Sequence, residues 1–278
     1  MSAAELATGR PGTASRPVNF LRIFFIGGLM SYRALFTWLR PSVLIPTFLI
    51  SPIFQILLFV YLGRAAHLAS DSFFVIGDAI QFAALPCLFA MGNTIADERQ
   101  AQTLSLVLAT PAARLPLFLG RSLPVIANGF AVSAFALVVS AAMFHITVPW
   151  VAVLPMGLAI VVCSVSCTGL GLVNAALGLR VRETAVTSNV ILGLLMIFCG
   201  VNIPLGTLPR WMSDTAAYLP LTHGIAAARS LAAGAPPSTA AGLIGVEFLI
   251  GVVYAVVGLL LLRAFEDESR RRSTLDRS

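Results

Sequence analysis

The sequence predicts an all-α integral membrane protein. It has six transmembrane helices, an N-terminal interfacial amphipathic helix, and short outer re-entrant helices between spans five and six. Of its 278 residues, 58% are hydrophobic and only 11% are charged, whereas a soluble domain is nearer half apolar and a quarter charged. The apolar residues form runs of about 20, the length that crosses a hydrocarbon core of roughly 30 Å. Arginine is concentrated on one side of those runs, as membrane topology requires.

The chain begins with a predicted disordered cytoplasmic segment, residues 1–17, and continues into an apolar segment, residues 18–40, that carries Arg22, Arg33 and Arg40. At about 100° per residue, these arginines lie within roughly 20° of one another on a helix. A thin charged seam on an apolar body is typical of a helix in the membrane interface. A short true span is the alternative, although three arginines would be costly there.

Six apolar runs then predict the spans of a single transmembrane domain, residues 18–263, before a charged cytoplasmic tail, 264–278. The predicted spans are residues 42–62, 73–93, 122–146, 150–179, 185–201 and 240–262. With the N-terminus inside, 15 arginines lie on the inner side and 3 on the outer side. This positive-inside asymmetry and the even number of spans place both termini in the cytoplasm.

The segment 96–121 is the longest polar stretch between apolar runs, and it lies on the cytoplasmic side. Leu104 and Leu108 recur at helical spacing, which predicts an amphipathic helix on the inner surface. Pro111 ends that helix. The segment therefore presents a surface on which a partner protein can act, and a plain connecting loop is the alternative.

All 18 basic residues are arginine, because the sequence contains no lysine. The phosphate-binding loop, G-x-x-x-x-G-K followed by Ser or Thr, needs its lysine to contact the phosphates. This chain therefore does not carry that nucleotide site, and any ATP must be held by another chain. The histidines, His67, His145 and His223, are far apart and lack metal-ligand spacing, so no catalytic or metal site is predicted.

The outer segment 202–238 is cut into short pieces by five prolines. The piece 221–233 is helical in character but only about 20 Å long, which is too short to span. Irregular backbone at membrane depth is tolerated only against protein or a wet cavity. We therefore expect two short helices that re-enter the outer leaflet and cap a cavity or pathway.

Two acids lie within predicted spans, and an intramembrane acid is a functional candidate. Asp78 is near the outer end of its span, so we expect its carboxyl to reach the interface. Glu247 is deeper, roughly 12 Å in. Together with Asn174, these residues are candidates for a transport route, or for the proton site of a proton-coupled secondary carrier. The alternative is a satisfied polar contact between helices, as for Gln81, Asn128 and Asn189.

The run from Glu98 to Arg114, ERQAQTLSLVLATPAAR, resembles the signature that follows the second span in type-2 ABC exporter permeases. That signature is approximately E-R-E-x-G-T-L-E-x-L-L-A-T-P-x-x-R. Gln102 stands where the family usually has Gly, and Ser105 where it often has Glu. The matching positions are Glu98, Arg99, Thr103, Leu104, Leu108, Ala109, Thr110, Pro111 and Arg114.

The outer segment resembles the same family through its G-x-x-x-P, L-P-x-W and L-P-L-T motifs and a later arginine. The interfacial helix that ends at Arg40-Pro41 also fits, so the resemblance covers residues 18–263. The positions that carry the outer motifs are Gly200, Pro204, Pro209, Trp211, Pro220, Thr222 and Arg229.

The resemblance implies a permease subunit in the bacterial inner (plasma) membrane, paired with a second permease copy as a homodimer or heterodimer. Two ABC ATPase subunits would hold ATP and Mg, so this chain would need no cofactor, would bind no nucleic acid and would not itself be an enzyme. It also implies that the segment after the second span, 96–121, together with the interfacial helix, transmits ATP-driven closure, and that the outer re-entrant helices form the exit gate. The implied substrates are drugs, antibiotics, lipids or lipid-linked glycans.

Overall fold

The computed structural model describes residues 45–100, 114–178 and 184–275, and every regular element in these ranges is helical. The predicted interfacial helix, with Arg22, Arg33 and Arg40, lies outside the described residues. The helices are α1 (Ser51–Ala66, after a π-helical turn, Ile45–Ile50), α2 (Asp71–Gln81), α3 (Ala84–Gln100), α4 (Arg114–Met143), α5 (Trp150–Leu177), α6 (Thr184–Phe198), α7 (Arg210–Ala216), α8 (Thr222–Ala232) and α9 (Pro237–Leu275).

Four stretches of the described chain are long and apolar enough to cross a membrane, namely Asp71–Asn93, Gly120–Met143, Trp150–Leu177 and Pro237–Phe265. Two further apolar helices, α1 and α6, are shorter. The six coincide with the six predicted runs, although length and composition qualify only four as spans. The all-helical, multi-pass membrane class is thus confirmed.

Helix α5 lies at the centre of the bundle and packs most extensively against α9, then against α3, α4 and α8. Glycines allow this approach. A Cβ on Gly169 would lie 2.6 Å from the carbonyl oxygen of Gly251, and a Cβ on Gly251 would lie 2.8 Å from Cα of Ser166. Helices in lipid associate through such small-residue contacts, because lipid tails are as apolar as the side chains themselves.

The second predicted span is interrupted between α2 and α3, at Phe82 and Ala83. Pro86 explains the interruption, since it has no N–H to donate to the Phe82 carbonyl and its ring excludes that carbonyl sterically. The turn is closed instead by bonds from Phe82 N–H to Asp78 O, 3.1 Å, and from Ala83 N–H to Ile80 O, 3.0 Å. The regular α-helical hydrogen bonding is therefore broken in the middle of this span.

Several helix ends differ from the predicted boundaries, and the backbone chemistry accounts for two of these differences. Helix α6 ends at Phe198, and Gly200 follows with φ of +70°, a left-handed conformation that glycine adopts without strain. Helix α9 begins at Pro237 and continues to Leu275, so it includes most of the predicted tail. No glycine or proline interrupts the sequence after Gly258, and nothing in the backbone chemistry ends the helix at the membrane surface.

Candidate functional site

The outer segment between α6 and α9 forms two short helices, α7 and α8. Helix α8 lies inside the bundle and packs against α9, α5 and α2. Its buried face consists of small and branched residues, Thr222, Gly224, Ile225, Ala227, Ala228 and Leu231. Because α8 has only 11 residues, it is about 16 Å long, and neighbouring helices must satisfy its ends.

Glu247, in α9, satisfies the first end. Its carboxyl oxygens accept hydrogen bonds from the backbone N–H groups of Leu221 (2.7 Å), His223 (3.2 Å) and Gly224 (3.2 Å). The first N–H groups of a helix have no partner within the helix. Glu247 thus caps α8 from a different helix, and its own side chain is completely buried.

The residue just before α8 has an unusual backbone. Leu221 has φ of +78°, a conformation that a bulky side chain adopts only under constraint. Its side chain is fully buried, and its N–H makes the shortest of the three bonds to Glu247. The carboxyl group and the buried side chain together hold this turn.

Arg229 secures the last turn of α8. Its guanidinium donates to the carbonyls of Phe73 (2.8 Å), Gly200 (2.7 Å) and Val201 (2.7 Å), and lies 3.5 Å from the centre of the Phe73 ring. The residue therefore joins α8 to the start of α2 and to the chain leaving α6. An acid at the N-terminal end of α8 and a base near its C-terminal end also match the helix dipole.

The remaining predicted outer-gate residues shape the path from α6 to α8. Pro204 precedes a 3-10 turn, Leu205–Thr207, and Pro209 precedes α7. Trp211 is 64% exposed and packs edge-on against Phe198. The Pro220 carbonyl accepts a bond from Cys199 Sγ at 3.2 Å, and Thr222, which is buried, opens α8. These residues thus lie in one continuous segment on the same side of the bundle.

The Asp78 carboxyl is buried among helices and does not lie at the membrane interface. The expectation that its carboxyl reaches the interface is wrong, since the side chain has 0% exposure. Gln55 of α1 donates from Nε2 to Asp78 Oδ1 (3.4 Å) and to Gln81 Oε1 (3.2 Å). Helix α1 covers the acid, because Gln55 contacts it here while Phe54 and Leu58 point outward.

A cleft of about 150 Å³ opens beside this polar cluster. It lies beside the α2–α3 break and is lined by residues of α1, of the break itself and of α6. Its walls combine two amides with apolar side chains and a glycine, namely Gln55, Gln81, Phe82, Leu85, Leu192, Gly193 and Met196. Such a mixture of an apolar wall with few polar groups is typical of sites for small organic groups.

The third route candidate, Asn174, has other neighbours. Its Nδ2 donates to Ser188 Oγ at 2.7 Å, and Gly92 leaves room for the same amide. Nearby, Thr184 Oγ1 donates to Asn93 Oδ1 at 2.9 Å. These bonds link α5, α3 and α6 at the end of the bundle where α3 leads into the polar segment 96–121. Asn174 thus connects helices and does not share the Glu247 or Asp78 clusters.

The described chain reaches both edges of the predicted coupling segment. Glu98 and Arg99 lie in the last turn of α3, and Arg114 is the first residue of α4. Thr103, Leu104, Leu108 and Pro111 lie outside the described residues. The predicted ATPase-coupling role of all these residues stays a prediction.

Sequence reasoning missed Gln55 and the partners of Glu247. Gln55 had a signal, since it is a lone amide in an apolar helix, and such polar residues within a membrane are functional candidates. The partners of Glu247 had none. They are backbone N–H groups 23 to 26 residues away, and every residue type except proline supplies that donor.

Comparison with known proteins gives one clear match. The protein-family model described as "ABC-2 type transporter" matches residues 24–232, which is most of the chain. A search of the curated proteins with this chain found no match. The matched range includes α1 to α8, the interrupted second span and the segment 96–121.

Proposed function

Because the chain belongs to the ABC-2 type transporter family and is an ABC permease subunit, we propose that it is the membrane-spanning part of an ATP-driven exporter. It moves a hydrophobic or amphiphilic molecule, such as a drug, an antibiotic or a lipid-like compound, outward. The family match is the observation that carries this proposal. The absence of lysine from the sequence supports an energy source on a separate chain, since the phosphate-binding loop requires that residue.

The proposed topology has six spans in a bacterial inner membrane, with both termini in the cytoplasm. The π-helical turn and α1 together run from Ile45 to Ala66, about 30 Å, which is enough to cross. Helix α6 is only about 22 Å long, and a short span is accommodated by local thinning of the bilayer or by neighbouring protein. The arginine asymmetry supports this orientation.

Family membership implies association with ABC ATPase subunits. We propose two such subunits, carrying ATP and Mg, on a pair of permease copies that are identical or closely related. They dock on the segment 96–121, with Glu98, Arg99 and Arg114 at its edges and Thr103, Leu104, Leu108 and Pro111 within it. Continuity with α3 and α4 supports this role, because a force on the segment acts directly on two spans.

The outer helices α7 and α8 form the proposed exit gate. The contacts of Glu247 and Arg229 support this, because they hold α8 as one unit against α9, α2 and the end of α6. A movement of any of these helices is therefore transmitted to α8. The same contacts favour an anchoring role for Glu247 over the alternative of a proton-coupled carrier, in which Glu247 would have to exchange its proton with water.

Co-purification with a cognate ATPase tests the proposal. The chain is extracted in mild detergent, and the proteins that bind it are identified by mass spectrometry. We expect a soluble ABC ATPase, and we expect vesicles that contain both proteins to move an amphiphilic dye only when ATP is present. Dye transport that needs no ATPase and follows a proton gradient would overturn the proposal and favour the carrier.

A further inference from the structure

The cleft beside Gln55 and Gln81 has a hydrogen-bonding pattern that depends on one acid behind its wall, Asp78. The Asp78 carboxyl accepts a hydrogen bond from Gln55 Nε2 through Oδ1. This bond turns the NH₂ group of Gln55 toward Asp78. That NH₂ group also reaches Gln81, which must then present its oxygen.

This orientation leaves two unused groups on the wall of the cleft. They are the acceptor Oε1 of Gln55 and the donor Nε2 of Gln81, and in the described part of the chain neither has a partner. A ligand that satisfies both must carry a donor and an acceptor on one edge. A primary carboxamide does so, as does a hydroxyl next to a carbonyl.

The remaining walls select the body of the ligand. Phe82, Leu85, Leu192 and Met196 are apolar, and Gly193 adds no side chain, so the floor of the cleft is open. A cavity of about 150 Å³ accommodates a single benzene-sized ring. A carboxylate ligand would bring its charge against the Gln55 oxygen and the Asp78 carboxyl, which disfavours anions.

We propose that this cleft is a recognition subsite for an uncharged ring that carries a carboxamide, or a hydroxyl beside a carbonyl. This inference rests on the proposed permease function and narrows its substrates to neutral, hydrogen-bonding amphiphiles. Gln55 and Gln81 bind the ligand. Asp78 is a positioning residue, because it fixes the direction of the Gln55 amide without lining the cleft.

The test uses three ligands that differ in one atom group on the same ring: benzamide, acetophenone and benzoate. Saturation-transfer NMR measures their binding to the purified full chain in detergent. Gly193→Leu fills the cleft and gives the background of micelle partitioning, because a Cβ at Gly193 meets nothing within 4 Å. Gly245→Leu is the matched control, since Gly245 is equally open and lies on the exposed side of α9.

We expect the wild-type chain, after subtraction of that background, to bind benzamide about tenfold more tightly than acetophenone, the factor that corresponds to ~1.4 kcal/mol, and to bind benzoate most weakly. Gln55→Leu with Gln81→Leu should remove the preference and leave acetophenone binding in place. Asp78→Asn should reduce the preference, because an amide does not dictate the Gln55 orientation. Gly245→Leu should behave as wild type.

Three results would each overturn the subsite. The first is equal binding of benzamide and acetophenone, and the second is a preference for benzamide that survives Gln55→Leu with Gln81→Leu. The third is the absence of saturable binding above the Gly193→Leu background. These outcomes are independent of the ATPase, since the assay contains none. A chain that binds benzamide selectively but recruits no ATPase would overturn the exporter function and leave the subsite standing. A complex that exports with ATP but shows no preference for benzamide would support the exporter function and overturn the subsite.

Discussion

The backbone N–H of Leu221 donates a 2.7 Å hydrogen bond to the carboxyl of Glu247, which lies 26 residues later in the sequence and on another helix. Leu221 has a left-handed backbone and a fully buried side chain. The bond therefore fixes a turn that the residue would not favour alone. It also determines where the short helix α8 begins, deep in the outer part of the bundle.

Removing the Glu247 carboxyl should release the start of α8. Glu247→Ala leaves buried N–H groups without partners, which costs about 1–3 kcal/mol for each group, so we expect a lower melting temperature. We also expect the rate of trypsin cleavage after Arg229 to rise relative to the wild type, while the rate of cleavage after the exposed Arg210 stays the same. Glu247→Gln should have a melting temperature between those of the wild type and Glu247→Ala, since its amide keeps one acceptor oxygen.

Asp214→Asn is the control for that experiment, because Asp214 is an exposed acid on the neighbouring helix α7. It should melt and be cleaved like the wild type. If Glu247→Ala and Asp214→Asn behave alike, the carboxyl does not anchor α8.

Arg229→Lys should weaken the connection between α8 and the end of α6. A lysine ammonium lacks the planar fork with which the guanidinium reaches three carbonyls at once. We expect Cys199, next to Gly200 and only 1% exposed, to react faster with a membrane-impermeant maleimide, as located by mass spectrometry. Cys87 is also buried but is distant in sequence from this contact, and its labelling should not change. A Cys199 rate equal to that of the wild type would contradict the role of Arg229.

Gly169→Ala should destabilise the pair formed by α5 and α9. Its Cβ would lie 2.6 Å from the Gly251 carbonyl and 3.0 Å from the Ala255 nitrogen, and overpacking of this kind costs about 1–3 kcal/mol. The matched variant Gly245→Ala adds the same methyl group to α9, where it meets nothing within 4 Å. It should be neutral or stabilising by up to ~1 kcal/mol, since alanine favours a helix over glycine. Thermal unfolding in detergent compares the two, and equal melting temperatures would refute the close approach.

Glu98→Ala with Arg99→Ala should uncouple the proposed exporter without unfolding it. Both residues lie in the last turn of α3, beyond the apolar stretch that ends at Asn93. We expect the variant to reach the membrane in normal amounts and to lose ATP-dependent transport. A pull-down with the variant should also recover less ATPase than one with the wild type. Asp214→Asn, on α7, should leave all of these unchanged. Full transport by the double variant would exclude the coupling role.

The sequence was most informative where the chemistry is local. Apolar length located the helices, and proline located the breaks in the outer segment. Pro86 also predicts a break, but the apolar run around it is continuous, so hydropathy concealed the interruption between α2 and α3. The bonds of Glu247 and Arg229 go to backbone atoms, which leave no trace in residue types. Asp78 was placed by depth along its own span alone, whereas the covering helix α1 determines its burial.

The way α8 is held has a consequence for how this protein can change over evolutionary time. Glu247 binds backbone N–H groups, and Arg229 donates to backbone carbonyls, so these hydrogen bonds do not depend on the side chains of α7 and α8. The other contact of Arg229, with the Phe73 ring, is to a residue of α2. Residues on the exposed side of α7 and on the half-buried side of α8, Arg229 excepted, are therefore free to vary while the anchoring stays intact. A lineage that faces a new compound can remodel this surface without rebuilding its attachment, and a laboratory can graft a foreign helix of equal length, provided that the new helix keeps an arginine at position 229.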